Sequence, residues 1–263
     1  MPTMGTLRLD RLAELTSPAA LGAVSVREET LSTVGFSGAS HRRLVAVLPS
    51  GDTRRFVLKL CDPAREWTAV RTGDRVGREW SLLAERPLDG VWDTFVSPFV
   101  AYAVEGGRSG LLIEDLGAHL FPDVREPISL GGEDELLATL ARLHARFWHS
   151  PALSISWLGR ASSTSELVLP TVLDDAAALA LMPAALRERL RVGWDAALAR
   201  VSARAAGVLR LPARILHEAW ADLPQTLLHG DVKVANFAPI PGRGVAAFDV
   251  PHVVGRVVDE VPP

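Results

Sequence analysis

Three polar side chains near the end of the chain are of the types that accept protons and hold a metal ion. Asp231 and Asn236 follow the strand-like Thr-Leu-Leu at 226–228, with four residues between them, and Asp249 comes thirteen residues after Asn236. A carboxylate such as that of Asp231 can accept the proton of a hydroxyl group. The oxygen atoms of Asn236 and Asp249 suit a hard cation such as Mg²⁺. A Pro-Gly-Arg-Gly turn between two apolar runs predicts a hairpin that folds Asp249 back towards Asn236.

A lysine lies inside an apolar strand in the first half of the chain. Period-two alternation in Arg-Phe-Val-Leu-Lys-Leu at 55–60 places Lys59 beside Val57 on one face, opposite Phe56, Leu58 and Leu60. A lysine in that setting needs an anionic partner or a route to water. A solvent-exposed lysine on an edge strand is the alternative.

The loop at 33–41 precedes that strand and is a candidate for binding phosphate. Its glycines would allow close approach of the backbone, and its serines would donate hydrogen bonds. It carries neither the Gly-Lys-Ser/Thr of a Walker loop nor a full Gly-x-Gly-x-x-Gly. An ordinary surface loop is therefore the alternative.

The pattern His229-Gly230-Asp231, four residues, Asn236, and then Asp249 on a strand resembles the aminoglycoside phosphotransferase and choline kinase superfamily. Gly-Phe-Ser at 35–37 and Leu-His-Ala at 143–145 extend this resemblance, which covers roughly residues 24–256. The resemblance implies a protein-kinase-like fold and a phosphotransferase that uses ATP and Mg²⁺. Asp231 would orient or deprotonate an acceptor hydroxyl, and Asn236 with Asp249 would hold the Mg²⁺.

The resemblance also implies how the nucleotide binds. Lys59 would contact the α- and β-phosphates and pair with Glu79. The stretch 111–117 would be the linker between two lobes, where backbone groups at Glu114 and Leu116 bond to adenine. His229 and His144 would brace the catalytic loop. The loop over the phosphates would include Gly35, Ser37 and Gly38.

The elements predicted around these residues change in type near residue 116. Before it, we expect a strand, turn and strand at 43–60, a helix at 76–84 and a strand at 109–114. After it, we expect helices at 133–149, 171–182, 183–206 and 211–220. The sequence predicts an α+β protein with a small β-rich lobe, 1–116, and a larger, mainly helical lobe, 117–263.

Composition excludes several classes of protein. Hydrophobic residues make up 48% of the 263 residues and charged residues 22%, which is typical of a globular chain. A net charge of -3 argues against nucleic acid as a partner. The single cysteine, Cys61, excludes an intramolecular disulfide. Neither a secretory leader nor a long apolar run occurs, so we expect a cytoplasmic protein without a membrane partner. The sequence leaves the oligomeric state and the choice between ATP and GTP open.

The chain departs from the family pattern after Asp249. The family usually continues with Trp and further helices, whereas Val-Pro-His-Val-Val-Gly follows here. We therefore expect a shortened C-terminus without docking contacts from Pro251 onward, and a more open acceptor side. A nucleotide-binding or regulatory protein without turnover is the alternative function. A metallohydrolase with ligands His229, Asp231, Asp249 and His252 explains neither Lys59 nor Asn236.

The acceptor is expected to be a small hydroxylated molecule. Residues 151–225 contain eight arginines against seven acids. That balance disfavours a polycationic aminoglycoside and leaves neutral or anionic acceptors.

Overall fold

A six-stranded sheet forms the first part of the protein. The computed structural model describes residues 6–31, 38–120, 130–160, 167, 169–212, 215, 218–219, 223–248 and 253–255. The strands run in the order β1-β5-β6-β4-β3-β2, and all neighbours are antiparallel except β1 and β5. They are β1 (Leu7–Leu9), β2 (Ser25–Thr30), β3 (Ser40–Val47), β4 (Thr53–Cys61), β5 (Phe99–Glu105) and β6 (Arg108–Glu114).

The β3–β4 hairpin confirms the predicted strand, turn and strand. Alternation along β4 sends Phe56 and Leu58 into a core with Leu15, which lies on a short 3-10 helix at 12–16. The opposite face of β4 carries Val57 and Lys59, and Val57 packs against the larger core that β6 shares with the helices. Because β4 lies between β3 and β6, Lys59 is on a central strand.

Six α-helices accompany the sheets in the described ranges: α1 (Trp67–Thr72), α2 (Arg78–Ala84), α3 (Leu130–Phe147), α4 (Ala176–Leu181), α5 (Ala184–Leu198) and α6 (Ala203–Leu209). The predicted helices at 76–84 and 133–149 correspond to α2 and α3. Leu136, Leu140, Leu143 and Phe147 form the buried stripe of α3. Of the predicted helix at 211–220, only 211–212, 215 and 218–219 lie in the described ranges.

Two predicted helices are each interrupted by a capping residue. The stretch 171–182 begins as a 3-10 turn, and α4 starts only after Asp175, whose carboxylate accepts the amides of Ala177 and Ala178. The stretch 183–206 divides into α5 and α6 because the hydroxyl of Ser202 caps a new helix. Side chains of this type satisfy amides that otherwise lack a partner in the first turn, and so define new starts.

Five short strands complete the described part of the fold: β7 (Gly159–Arg160), β8 (Thr226–Leu228), β9 (Phe237–Ile240), β10 (Gly244–Ala247) and β11 (Val253–Gly255). The β9–β10 hairpin confirms the hairpin predicted after Asn236. Strand β11 pairs with β8 and β7, so the expectation that this segment lacks docking contacts is wrong. Its Val-Val pair suits a strand, because β-branched residues pack well on a pleated sheet.

The protein is therefore of the α+β class, with a six-stranded mixed sheet and several helices. None of the helices in the described ranges combines the length and the apolar character needed to cross a membrane.

Candidate functional site

The loop after β8 brings Asp231 and Asn236 into direct contact. The amide nitrogen of Asn236 donates to the backbone oxygen and to Oδ2 of Asp231, at 2.9 Å each. Asn236 is buried, whereas half of the Asp231 side chain is exposed. Because the amide nitrogen faces Asp231, the amide oxygen is the atom of Asn236 that could bind a cation. The Asp231 carboxylate is open to an incoming hydroxyl group.

His229 braces this loop from a fully buried position. Its Nδ1 accepts the backbone N–H of Asp231 at 3.3 Å, and its Nε2 lies 2.9 Å from the carbonyl oxygen of Phe248. A carbonyl only accepts, so the proton is on Nε2. Gly230 has φ 85°, a conformation that side-chain-bearing residues rarely adopt. The His-Gly-Asp order thus fixes the turn, and both ring nitrogens of His229 serve structural contacts.

The β9–β10 hairpin returns the chain to Asn236. The backbone N–H of Phe248 donates to the carbonyl oxygen of Asn236 at 2.8 Å. Phe248 therefore touches Asn236 on one side and His229 on the other. Asp249 itself lies outside the described residues. The hairpin was predicted to return the chain to Asn236, and this is confirmed as far as Phe248, the residue before Asp249.

Lys233 is a charged neighbour of Asp231 that the sequence reasoning missed. Its Nζ lies 3.3 Å from Oδ2 of Asp231, and about half of each side chain is exposed. An ion pair in such contact with water contributes little stability. The only signal for this contact in the sequence is that a lysine follows Asp231 by two residues. In the structure, the backbone at Lys233 is extended.

Lys59 and Glu79 form a largely buried ion pair. Nζ of Lys59 lies 2.6 Å from Oε2 of Glu79, and the two side chains are only 11% and 17% exposed. The pair joins the central strand β4 to helix α2. The alternative of an edge-strand lysine in water is wrong, because β4 has a neighbour on each side. A largely buried ammonium is stable only beside anionic groups such as the carboxylate of Glu79.

Glu66 is a second buried acid in this region, and the sequence analysis did not single it out. It precedes α1, and its Oε1 accepts the backbone N–H of Asp62 at 2.6 Å. Burial raises the pKa of Glu66, while the hydrogen bond from Asp62 and the charge of Lys59 act in the opposite direction. Desolvation is the largest of these effects, so Glu66 keeps its proton to a higher pH than an exposed glutamate.

The described end of the predicted phosphate loop lies against Glu66. A Cβ atom built on Gly38 would be 3.5 Å from both Cα and Cγ of Glu66, and Gly38 has φ 100°. Glycine is favoured at such a φ, so its presence here has a backbone reason. Gly35 and Ser37 lie outside the described residues.

The predicted linker uses most of its own amides. Glu114 N–H donates to Pro98 at 2.8 Å, Asp115 N–H to Arg55 at 3.1 Å, and Gly117 N–H to the Asp115 carboxylate at 3.1 Å. Among the hydrogen bonds of the described residues, none uses the amide of Leu116. That amide is therefore the linker N–H group that could serve a ligand.

Side chains fix the linker to both parts of the fold. Nε of Arg43, on β3, lies 2.9 Å from Oδ2 of Asp115, whose side chain is 10% exposed. Arg243, in the β9–β10 turn, approaches Glu114 at 4.0 Å. Leu116 is buried against the hairpin residues Ala238, Ile240 and Ala246. These partners come from distant parts of the sequence, which gave no signal for them.

Within the described ranges, no group of three or more His, Cys, Asp or Glu side chains could hold a metal ion. Asp249 and His252, which the metallohydrolase alternative requires, lie outside those ranges. His229, another of the four ligands in that alternative, already uses both ring nitrogens in hydrogen bonds to the backbone. The engagement of His229 disfavours the metallohydrolase alternative.

No protein-family model matches the chain, and no curated protein or solved structure matches it either. The function is therefore inferred from the residues of this chain and their contacts.

Proposed function

We propose that the protein is an ATP- and Mg²⁺-dependent phosphotransferase that moves the γ-phosphate to a hydroxyl group of a small molecule. The observation that carries this proposal is the largely buried Lys59–Glu79 ion pair between a central strand and a helix. Burying two charges costs free energy, which a purely structural pair recovers poorly. A lysine held in this way is useful if its charge serves an anionic ligand such as a nucleotide phosphate.

The catalytic loop supplies the acceptor side of the reaction. The exposed carboxylate of Asp231 would orient the acceptor hydroxyl and take its proton, held in place by the amide nitrogen of Asn236. Bound Mg²⁺ would neutralise charge on the phosphates, with the amide oxygen of Asn236 and the carboxylate of Asp249 as its protein ligands. Lys59 would contact the phosphates, and Lys233 places a further cation beside Asp231.

The linker contacts support a two-lobed, kinase-like arrangement with a boundary at residues 116–117. The last strand of the six-stranded sheet, β6, ends within the linker at Glu114, and α3 with the small strands follows. In this proposal the amide of Leu116 and backbone groups at Glu114 bind the adenine edge. The Asp115 side chain stays on Arg43 and positions that backbone.

The test is an assay of ATP consumption with Mg²⁺ against neutral and anionic hydroxylated acceptors, with aminoglycosides and choline-like amino alcohols included. We expect turnover with at least one acceptor, and a loss of about 10²–10⁴-fold in the Asp231→Asn variant. That variant should keep its affinity for Mg-ATP, because asparagine still accepts hydrogen bonds at the same position.

Two outcomes would contradict the proposal. Near-normal turnover by Asp231→Asn would remove this residue from the chemistry. Stabilisation by Mg-ATP without consumption across the panel would favour the alternative, a nucleotide-binding or regulatory protein.

A further inference from the structure

Helix α1 connects the sheet to the helical part of the protein. Nη1 of Arg71, in its last turn, lies 3.1 Å from Oδ2 of Asp175, the residue that caps α4. Both side chains are largely buried, at 16% and 25% exposure. Trp67, the first residue of α1, is 4% exposed and packs with Val172 and Met182. An apolar contact and an ion pair thus fix α1 against α4.

Arg78, the first residue of α2, extends this connection to Glu79. Its guanidinium donates to the carbonyl oxygen of Trp157 at 2.9 Å, to Oγ1 of Thr72 at 3.0 Å and to the carbonyl oxygen of Thr72 at 2.9 Å. Arg78 is 8% exposed, and this burial lowers its pKa. A buried guanidinium is tolerated only with such partners.

Three segments therefore meet at one guanidinium: the end of α1, the start of α2 and the backbone at Trp157. The Asp74 carboxylate adds a second attachment, because it accepts the backbone amides of Gly77 and Arg78. Glu79 is the next residue after Arg78. A shift of α1 or of Trp157 would consequently displace the carboxylate that pairs with Lys59.

We propose that Arg78 and the Arg71–Asp175 ion pair are positioning residues that tie Glu79, and through it the Lys59 ammonium, to α4 and the backbone at Trp157. The inference rests on the proposed function insofar as Lys59 is taken to bind nucleotide phosphate. It adds that nucleotide affinity depends on packing outside the nucleotide site.

Asp175→Asn is the most informative variant. Asparagine caps helices as well as aspartate does, so α4 keeps its start while the charge facing Arg71 is lost. Asp195→Asn is the matched control, since Asp195 makes an exposed pair with Arg191 on α5. Arg78→Lys keeps the charge but has one nitrogen in place of the three guanidinium nitrogens that reach these acceptors. If Arg78→Lys does not fold, Asp175→Asn still decides the question.

Two measurements separate positioning from general stability. Amide hydrogen exchange of 78–84 is compared with that of α3, which serves as the internal reference for global opening. The Kd for Mg-ATP is measured in a double-mutant cycle of Asp175→Asn with Lys59→Ala. We expect faster exchange in α2 alone and roughly fivefold weaker Mg-ATP binding, with little further loss in the Lys59→Ala background.

If the α2 amides exchange at the same rate in Asp175→Asn as in the Asp195→Asn control, the inference is overturned, whether or not the protein binds nucleotide. Fully additive losses with Lys59→Ala would overturn it as well, because Asp175 would then act independently of the lysine. If the wild-type protein binds no nucleotide while α2 exchange still rises, the proposed function is wrong and the connection to α2 stands.

Discussion

The ammonium of Lys59 and the carboxylate of Glu79 lie 2.6 Å apart, and less than a fifth of either side chain is exposed. Glu66 is close enough for the charge of Lys59 to affect its pKa. One lysine thus lies in the field of two acids, one paired with it and one kept protonated more easily by burial. Charge at this site is set by a few side chains, so single substitutions should have measurable effects.

Lys59→Ala should weaken Mg-ATP binding on the order of tenfold or more, because it removes positive charge from the phosphates. Glu79→Ala should weaken it less, since the lysine remains. The two losses should be non-additive because both act through one ion pair, where coupling energies of about 0.5–3 kcal/mol are typical. Isothermal titration of the two single variants and the double variant measures this. Additive losses would show that the pair does not act as a unit.

Glu66→Gln should change how stability depends on pH. Because burial raises the pKa of Glu66 above its usual 4.5, the folded protein holds this proton more tightly than the unfolded chain. The stabilisation that this bound proton contributes is complete below the usual pKa of 4.5 and is lost as the pH rises through the raised pKa. Glutamine keeps the acceptor for Asp62 N–H but does not titrate. In chemical denaturation, the wild type should therefore lose stability relative to Glu66→Gln as the pH rises above 4.5.

Glu188→Gln is the control for this experiment, and its effect should have the opposite sign. The hydrogen bond from Arg191 lowers the pKa of the exposed Glu188. Its contribution is therefore present above the usual pKa and is lost as the pH falls. If the wild type instead became more stable relative to the Glu66→Gln variant as the pH rises, burial would not raise the pKa of Glu66.

At the scale of elements, helices and hairpins were predictable from the sequence where the residues of the element itself carry the signal. The hairpins β3–β4 and β9–β10 have turn residues between apolar runs, and α3 has a helical stripe. The break before α4 was also present in the sequence as a capping aspartate, Asp175, followed by alanines. Strand β11 was not predictable, because three residues become a strand only through partners at 159–160 and 226–228.

The same limit applies to the candidate site. His229, Asp231 and Asn236 are close in sequence, so their contacts followed from the motif. Lys59 and Glu79 were paired through the family resemblance, and the contact is present. The contacts of Arg78 with Trp157, and of Arg43 with Asp115, join residues more than seventy positions apart. Only tertiary packing brings such residues together.

Two glycine substitutions test the packing of elements in opposite directions. A Cβ atom on Gly110, in β6, would overlap Leu15 and lie 2.9 Å from Leu12, so Gly110→Ala should destabilise the protein by about 1–3 kcal/mol. A Cβ atom on Gly193, in α5, meets nothing within 4 Å, so Gly193→Ala should stabilise by about 0.5–1 kcal/mol. Urea denaturation of both variants measures the difference. Equal effects would argue against the close packing of β6 on the 3-10 helix.

At the scale of the whole molecule, ligand binding should be visible as stability. A ligand that binds only the folded state, at 100 times its Kd, adds about 2.7 kcal/mol. We expect ATP to raise the melting temperature only with Mg²⁺ present, and EDTA to reverse the shift. Asp249→Ala should abolish the Mg²⁺-dependent part, since one of two proposed ligands is lost. An unchanged shift in Asp249→Ala would remove this residue from the metal site.

The pairing of β11 with β7 and β8 has a consequence for the order in which the protein matures. Strand β8 leads directly into the Asp231 loop, and its partner at 253–255 is synthesised almost thirty residues later. During translation β8 therefore has an open edge until residues 253–255 have been made, since distant pairings form late. A released chain truncated after residue 248 should be cleaved by protease near 229–236 faster than a chain that includes 253–255. The loop that carries Asp231 should thus become ordered later than the six-stranded sheet.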